Sequence, residues 1–372
     1  MVEVGSFVGE LKATGVDFFT GVPDSLLKSF CAYVTDTCVE RHVIAANEGG
    51  AIALAAGHYL ATGRPALVYM QNSGQGNAVN PLCSLADPDV YSIPMVLLVG
   101  WRGEPGVKDE PQHVKQGKVT VSLFETLGIP AEVLPDDEAD ALEVVREMVA
   151  KARAEKRPVA LIVRKGFFAE YKLQSKNPDV ASLKREDAIE WVLRSLPDDA
   201  VVVSTTGMIS REVYETRERL GQGHERDFLT VGSMGHAIMI AMGIARAQPD
   251  RRVICLDGDG ASIMHLGNMA IAGQSGCANL VHIVLNNAAH DSVGGQPTVG
   301  GAINLVSVAD ALGYDVQPLE NALRLCASAL NKNRPAFVEV KVSKGARKNL
   351  GRPKEPPQEN KKLYMKTLGV TL

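Results

Sequence analysis

The sequence predicts an α/β protein built from two doubly wound parallel-sheet domains, and three observations carry that reading. Short runs rich in Val and Ile alternate with longer stretches of helical period, as in βα units whose strands are buried on both faces. The alternation resumes beyond a polar stretch near the middle of the chain. The 372 residues provide for two domains or three, each large enough to bury a full core.

In the first half, strands are expected at Val16–Thr20, His42–Ala46, Ala66–Gln71, Met95–Gly100 and Val159–Arg164, with helices between them, including one over Gly49–Ala61. In the second half they are expected at Val201–Thr205, Val253–Asp257, Leu280–Asn286 and Ala336–Val342. Helices are expected there over Ala237–Ala247 and Ala261–Gly273. The polar segment Tyr171–Glu186, with its Lys, Asn, Pro and Ser, reads as a linker. The domains would then span 1–170 and 187–343. From residue 344 the chain turns basic, and 344–372 reads as a C-terminal tail.

With 39 Lys+Arg against 43 Asp+Glu and a formal charge of −4, a general polyanion-binding surface is excluded, and nucleic acid is not expected as a partner. The longest apolar stretches, Ile93–Val99 and Ala237–Ala245, fall far short of a membrane span. Residues Met1–Gly5 lack the basic and apolar regions of a secretory signal, so a cytoplasmic protein is expected. The six cysteines form no CxxC pair and no zinc-spaced cluster, and read as buried reduced thiols.

Gly258-Asp259-Gly260 closes one expected strand and Asn286-Asn287 closes another, which places both at carboxyl ends, where open α/β sheets bind ligands. Asp259 offers a hard anionic oxygen and Asn287 a neutral amide oxygen, a set suited to Mg²⁺ shared with a phosphate. Gly258 and Gly260 let the backbone approach a phosphate, and a helix beginning near Ala261 would aim N–H groups at it. The plainer reading is a pair of turns, since Asp-Gly and Asn-Asn are common turn material. Glu48, in Asn47-Glu48-Gly49-Gly50, stands at a strand end before an Ala-rich helix; a first-turn acid favours the helix dipole, yet Glu is costly to bury there. Asp24 follows a strand and either handles protons or N-caps the helix after Ser25.

The paired GDG and NN motifs resemble the signature of thiamine diphosphate enzymes. The resemblance implies that Asp259, Asn287 and the Ala289 carbonyl hold Mg²⁺ and that Glu48 hydrogen-bonds N1′ of the aminopyrimidine. Met234, in Gly232-Ser233-Met234-Gly235, would wedge between the two cofactor rings; without the resemblance it reads as a core methionine. The backbone of Thr206-Gly207-Met208 is a candidate for cofactor contacts or a simple βα turn. Ala288 stands where the family pattern has Gly. Pyrimidine-binding and diphosphate-binding domains from different subunits face each other in this family, so a homo-oligomer, at least a dimer, is implied.

The short linker leaves no room for the central third domain of common thiamine-dependent decarboxylases. The strings Thr20–Lys28, Gln71–Asn77, Gly100–Gly103, Asp109–His113, Asn286–Gln296 and Gly345–Pro353 resemble the branch of that decarboxylase family acting on phosphonopyruvate. Sulfopyruvate decarboxylases share much of this pattern. The resemblance implies non-oxidative decarboxylation of 3-phosphonopyruvate in phosphonate biosynthesis, with thiamine diphosphate and Mg²⁺. A substrate with a carboxylate and a phosphonate needs donors away from the cofactor. Ser25, Arg102, Lys108, Arg347 and Arg352 are candidates, the last two on a tail read as an active-site lid. His113 and His290 are possible proton donors, together with Asp24. The alternatives are a sulfopyruvate decarboxylase, a catalytically silent thiamine-fold partner subunit, and a nicotinamide enzyme, whose best fingerprint, Gly74-Gln75-Gly76, lacks its third glycine.

Overall fold

Two six-stranded, all-parallel sheets organise the chain. The computed structural model describes residues 1–175, 178–318 and 333–370. It divides into two units, Met1–Lys176 with Val293–Gln296, and Asn177–Ser292 with Pro297–Leu372. In the first unit the strands are β1 (Phe19–Gly21), β2 (His42–Ile44), β3 (Leu67–Gln71), β4 (Met95–Gly100), β5 (Ala131–Val133) and β6 (Pro158–Val163), in spatial order β2-β1-β3-β4-β6-β5. In the second they are β7 (Val201–Ser204), β8 (Asp227–Leu229), β9 (Val253–Gly258), β10 (Leu280–Asn286), β11 (Asp315–Val316) and β12 (Ala336–Lys341), in order β11-β12-β10-β9-β7-β8.

The central strands are mostly apolar because each sheet is covered on both faces, with His282 of β10 and Asp257 of β9 as buried polar exceptions. Val96 and Leu98 of β4 join one core, whereas Met95, Leu97 and Val99 join the other. In the second unit Val281, Ile283 and Leu285 face one way, Leu280 and Val284 the other. Arg217, fully buried, is matched by Asp227 through Nε–Oδ2 at 3.0 Å and Nη2–Oδ1 at 2.8 Å.

Several expectations are corrected. Strands β5, β8 and β11 were not anticipated; each has three residues or fewer and stands at a sheet edge. The first strand begins at Phe19, not Val16. The helix expected over Ala261–Gly273 starts at Asp259 and is interrupted at His265, giving Asp259–Met264 and Leu266–Gly273. The linker's last two residues open the helix Arg185–Ser195. In the tail, the helix Pro357–Thr367 docks on β8: Asn360 donates to the Asp227 carbonyl at 2.8 Å and accepts from the Leu229 N–H at 3.1 Å, pairing backbone groups of the edge strand. Cys31, Cys38, Cys255 and Cys277 are buried, Cys83 is exposed, and Cys326 lies outside the described residues. No helix among the described residues is long and apolar enough to cross a membrane.

Candidate active site

Strands β9 and β10 are paired neighbours, with Gly258 opposite Leu285, so the GDG and NN motifs leave the sheet side by side. Asp259 is the first residue of its helix and is 2 % exposed. The groups that hold it are neutral donors: the Thr298 hydroxyl and the backbone N–H groups of Asn287, Asp259 and Gly260. Burial outweighs them and pushes its pKa up to about 6. Asn286 is a loop brace: its amide N–H groups reach the Gly300 carbonyl and Glu339, both at 2.7 Å, and its oxygen accepts from Ala288 N at 2.9 Å. Asn287 donates from Nδ2 to Asp291 at 2.6 Å, and its Oδ1 accepts from Ala289 N at 3.1 Å. Ala288 has φ 55°, which explains why glycine suits this position.

These residues fit a divalent cation bound with a diphosphate. A buried carboxylate held by neutral donors lacks a counter-charge, and its oxygen neighbours are the hard donors that Mg²⁺ takes. Gly300 packs directly on Asp259, where a Cβ would meet Asp259 Cβ at 2.8 Å. His290 packs over Gly260, with Cε1 3.3 Å from where a Cβ would stand, and its burial lowers its pKa to about 4. The structure therefore brings Asp259, Asn287, Ala289 and His290 together at one loop.

In the first unit, Asn47 N-caps the helix Glu48–Thr62 by accepting from Gly50 N at 2.9 Å. Glu48 is 5 % exposed and accepts from Asn77 Nδ2 at 2.7 Å. Burial raises its pKa, with Asn77 opposing. Gly74 leaves the space that Glu48 fills: a Cβ there would meet the Glu48 Cδ at 2.5 Å. Asp24 is fully buried and does not cap the following helix, which starts at Lys28. It accepts instead from Leu26 N at 2.9 Å and Gln71 Nε2 at 2.6 Å, and burial raises its pKa.

Arg102 donates to Ser25 Oγ at 2.7 Å and grips Asp109 through Nε at 2.8 Å and through Nη2. A cavity of about 220 Å³ is lined by Ser25, Arg102 and Lys108, with Trp101, Asp109 and Lys165. Three expected substrate contacts thus converge. His113 is buried near this loop, its Nδ1 without a partner and its pKa lowered to about 4 by burial and by Arg102.

The remaining candidates occupy loops of the second unit. Gly207, at φ 98°, precedes the helix Met208–Arg219, and Thr206 is half-buried just before it. Met234 is half-buried, not a core residue, and lies between Ser233 at φ 55° and Gly235 at φ 82°, one residue after Gly232 and Ser233 turn the chain. Arg347 is ion-paired with Glu186 and Glu215, so its charge is already matched; Arg352 is exposed in the irregular segment that follows. Sequence reasoning missed Thr298, Asn77, Gly74 and Lys165. The string Gln71–Asn77 held two of them, but no spacing rule links it to Glu48.

A family model described as "Thiamine pyrophosphate enzyme, N-terminal TPP binding domain" matches residues 5–123. One described as "Thiamine pyrophosphate enzyme, C-terminal TPP binding domain" matches residues 205–340. The phosphonopyruvate decarboxylase of Streptomyces hygroscopicus is 36% identical over 96% of this chain and 92% of its own length. That of Streptomyces viridochromogenes is 35% identical over 96% and 93%. The sulfopyruvate decarboxylase of Methanosarcina acetivorans is 28% identical over 97% and 96%.

Proposed function

This chain belongs to the thiamine pyrophosphate enzyme family, and on that premise we propose that it decarboxylates 3-phosphonopyruvate, without oxidation, to phosphonoacetaldehyde and carbon dioxide, a cytoplasmic step of phosphonate biosynthesis. The observation that carries the substrate is the 36% identity, sustained over 96% of the chain, to a decarboxylase of that compound, against 28% to a sulfopyruvate decarboxylase.

Bound thiamine diphosphate supplies an electron sink for the carboxylate's departing electron pair. Asp259, the Asn287 Oδ1 and the Ala289 carbonyl hold its Mg²⁺, and Gly258, Gly260, Ala261 and the Thr206-Gly207-Met208 turn contribute backbone beside the diphosphate. Met234 and Gly232 shape the bed of the ring system. Glu48, buried and with a raised pKa, is the acid–base group placed to exchange a proton with a ring nitrogen. Asp24, whose pKa burial also raises, is a second acid–base group beside Ser25. His113 and His290, both held neutral by burial, are further proton carriers.

Lys108 and Lys165 give the cavity cationic donors for a phosphonate, and Arg102, whose charge Asp109 already matches, contributes N–H groups shared with that carboxylate. Arg347 and Arg352 remain substrate-contact candidates on the tail, and Arg347 would reach an anion only by giving up Glu186 and Glu215. Glu48 and Asp259 act in one site supplied by two subunits of a homo-oligomer, at least a dimer.

Phosphorus NMR of the protein with thiamine diphosphate, Mg²⁺ and 3-phosphonopyruvate should show phosphonoacetaldehyde; turnover of sulfopyruvate alone would overturn the substrate. Mixing inactive Glu48→Gln and Asp259→Ala subunits should restore about a quarter of the activity. No recovery after verified subunit exchange would refute the shared site.

A further inference from the structure

We propose that Asp291 is the positioning residue that decides which face of the Asn287 amide meets the cation, and that the buried Arg185 locks Asp291 in that role. The inference rests on reading Asn287 as a metal ligand and adds a layer behind it. An asparagine amide is nearly symmetric in shape, but one end donates and the other accepts. Rotated by half a turn, it would present N–H groups to a divalent cation and repel it. Something must hold the orientation.

A carboxylate only accepts, so the 2.6 Å contact between Asn287 Nδ2 and Asp291 Oδ2 selects one rotamer. It turns Oδ1 away from Asp291, where Ala289 N also approaches it. Three donors converge on this single Asp291 oxygen: Asn287 Nδ2, Arg185 Nη1 at 2.9 Å and Gly345 N at 2.9 Å. Arg185 is 5 % exposed and is itself held by Glu212, with Nε–Oε2 at 2.8 Å and Nη2–Oε1 at 3.0 Å. Its Nη2 also reaches the Gly345 carbonyl at 3.2 Å. One guanidinium therefore pins the loop after β10, the helix Met208–Arg219 and the start of the tail. Its fork fixes where the Asp291 oxygen stands.

Ligand orientation by such outer partners typically controls metal affinity by 10- to 100-fold. Calorimetric titration of Mg²⁺ into protein with thiamine diphosphate present should give, for Asp291→Ala, a midpoint weaker by about 10- to 100-fold. At saturating Mg²⁺ the coenzyme affinity should return close to the wild-type value, which a collapsed fold would not allow. Asp291→Asn keeps an acceptor oxygen for Asn287 and should show a smaller shift; it serves as the test if the alanine variant fails to fold. A folded variant with an unshifted Mg²⁺ midpoint, while Asp259→Ala shifts it, would overturn the inference alone. If Asp259→Ala leaves the midpoint unchanged as well, the metal reading falls and the inference falls with it.

Discussion

Replacing Glu48 by Gln separates chemistry from architecture at one position. The side chain is 5 % exposed and its Oε2 accepts from Asn77 at 2.7 Å. A glutamine keeps the shape and an acceptor oxygen for Asn77, so the helix Glu48–Thr62 and its Asn47 cap are untouched. What disappears is the exchangeable proton. Loss of a positioned acid–base group costs roughly 10²- to 10⁴-fold, or about 3 to 5 kcal/mol in the barrier. Stability should move the other way. Burial raises the Glu48 pKa, and a carboxyl raised on folding contributes stability that is full below its unfolded pKa and lost as pH rises through the folded one. As pH rises through the folded pKa the buried Glu48, once ionised, weighs against the fold, and Gln removes that cost. Phosphonoacetaldehyde formation and thermal melts from pH 4 to pH 8 check both halves. The variant should melt at or above wild type at pH 8, with the gap closing toward pH 4. A rate within about threefold of wild type, or a melting point that drops most at pH 8, would refute the reasoning.

Asp259, raised to about 6, should make Mg²⁺ binding weaken by about tenfold per pH unit below about 6 and level off above it. The metal-free protein should lose on the order of 3 kcal/mol as pH rises from 4 through 6, and a flat calorimetric profile across that range would count against the assignment. Gly74 has φ −76°, open to any residue, so its glycine is required by space alone; Gly74→Ala, which drives a Cβ to 2.5 Å from Glu48 Cδ, should cut kcat by about 10²-fold with circular dichroism unchanged. Wild-type turnover there would show that Glu48 relaxes freely. Ala288→Gly relieves a left-handed alanine at φ 55° and should stabilise the protein by about 1 kcal/mol; a lower melting temperature would contradict it.

The motifs Gly258-Asp259-Gly260 and Asn286-Asn287 were legible because each stands at the end of a strand that buries both faces and so announces itself as a run of apolar residues; Asn47-Glu48 follows the short, half-exposed edge strand β2 and was legible from the Ala-rich helix it opens. Edge strands β5, β8 and β11 carry no such run: they are short, partly wetted and paired on one side, and pattern alone does not separate them from loops. Met234 is half-buried in a turn, where its composition had allowed a core position. Arg347 suggests itself as a donor for an anionic substrate, and its ion pairs with Glu186 and Glu215 were not legible because both partners lie far away in sequence.

The one-dimensional pattern by itself determined the two parallel-sheet domains and put Asp259, Asn287 and Glu48 at element ends, because periodicity and strand-end motifs are local and survive without knowledge of neighbours; the roles of those three residues came from the resemblance to thiamine diphosphate enzymes. Tertiary structure alone decided that Gly74 makes room for Glu48, that Thr298 holds Asp259, that Ser25, Arg102, Lys108 and Lys165 share a cavity, and that Arg185 and Asp291 orient Asn287. Hydrogen bonds and ion pairs act over about 3 Å, and distances of that size between residues remote along the chain exist only once the strands are laid side by side.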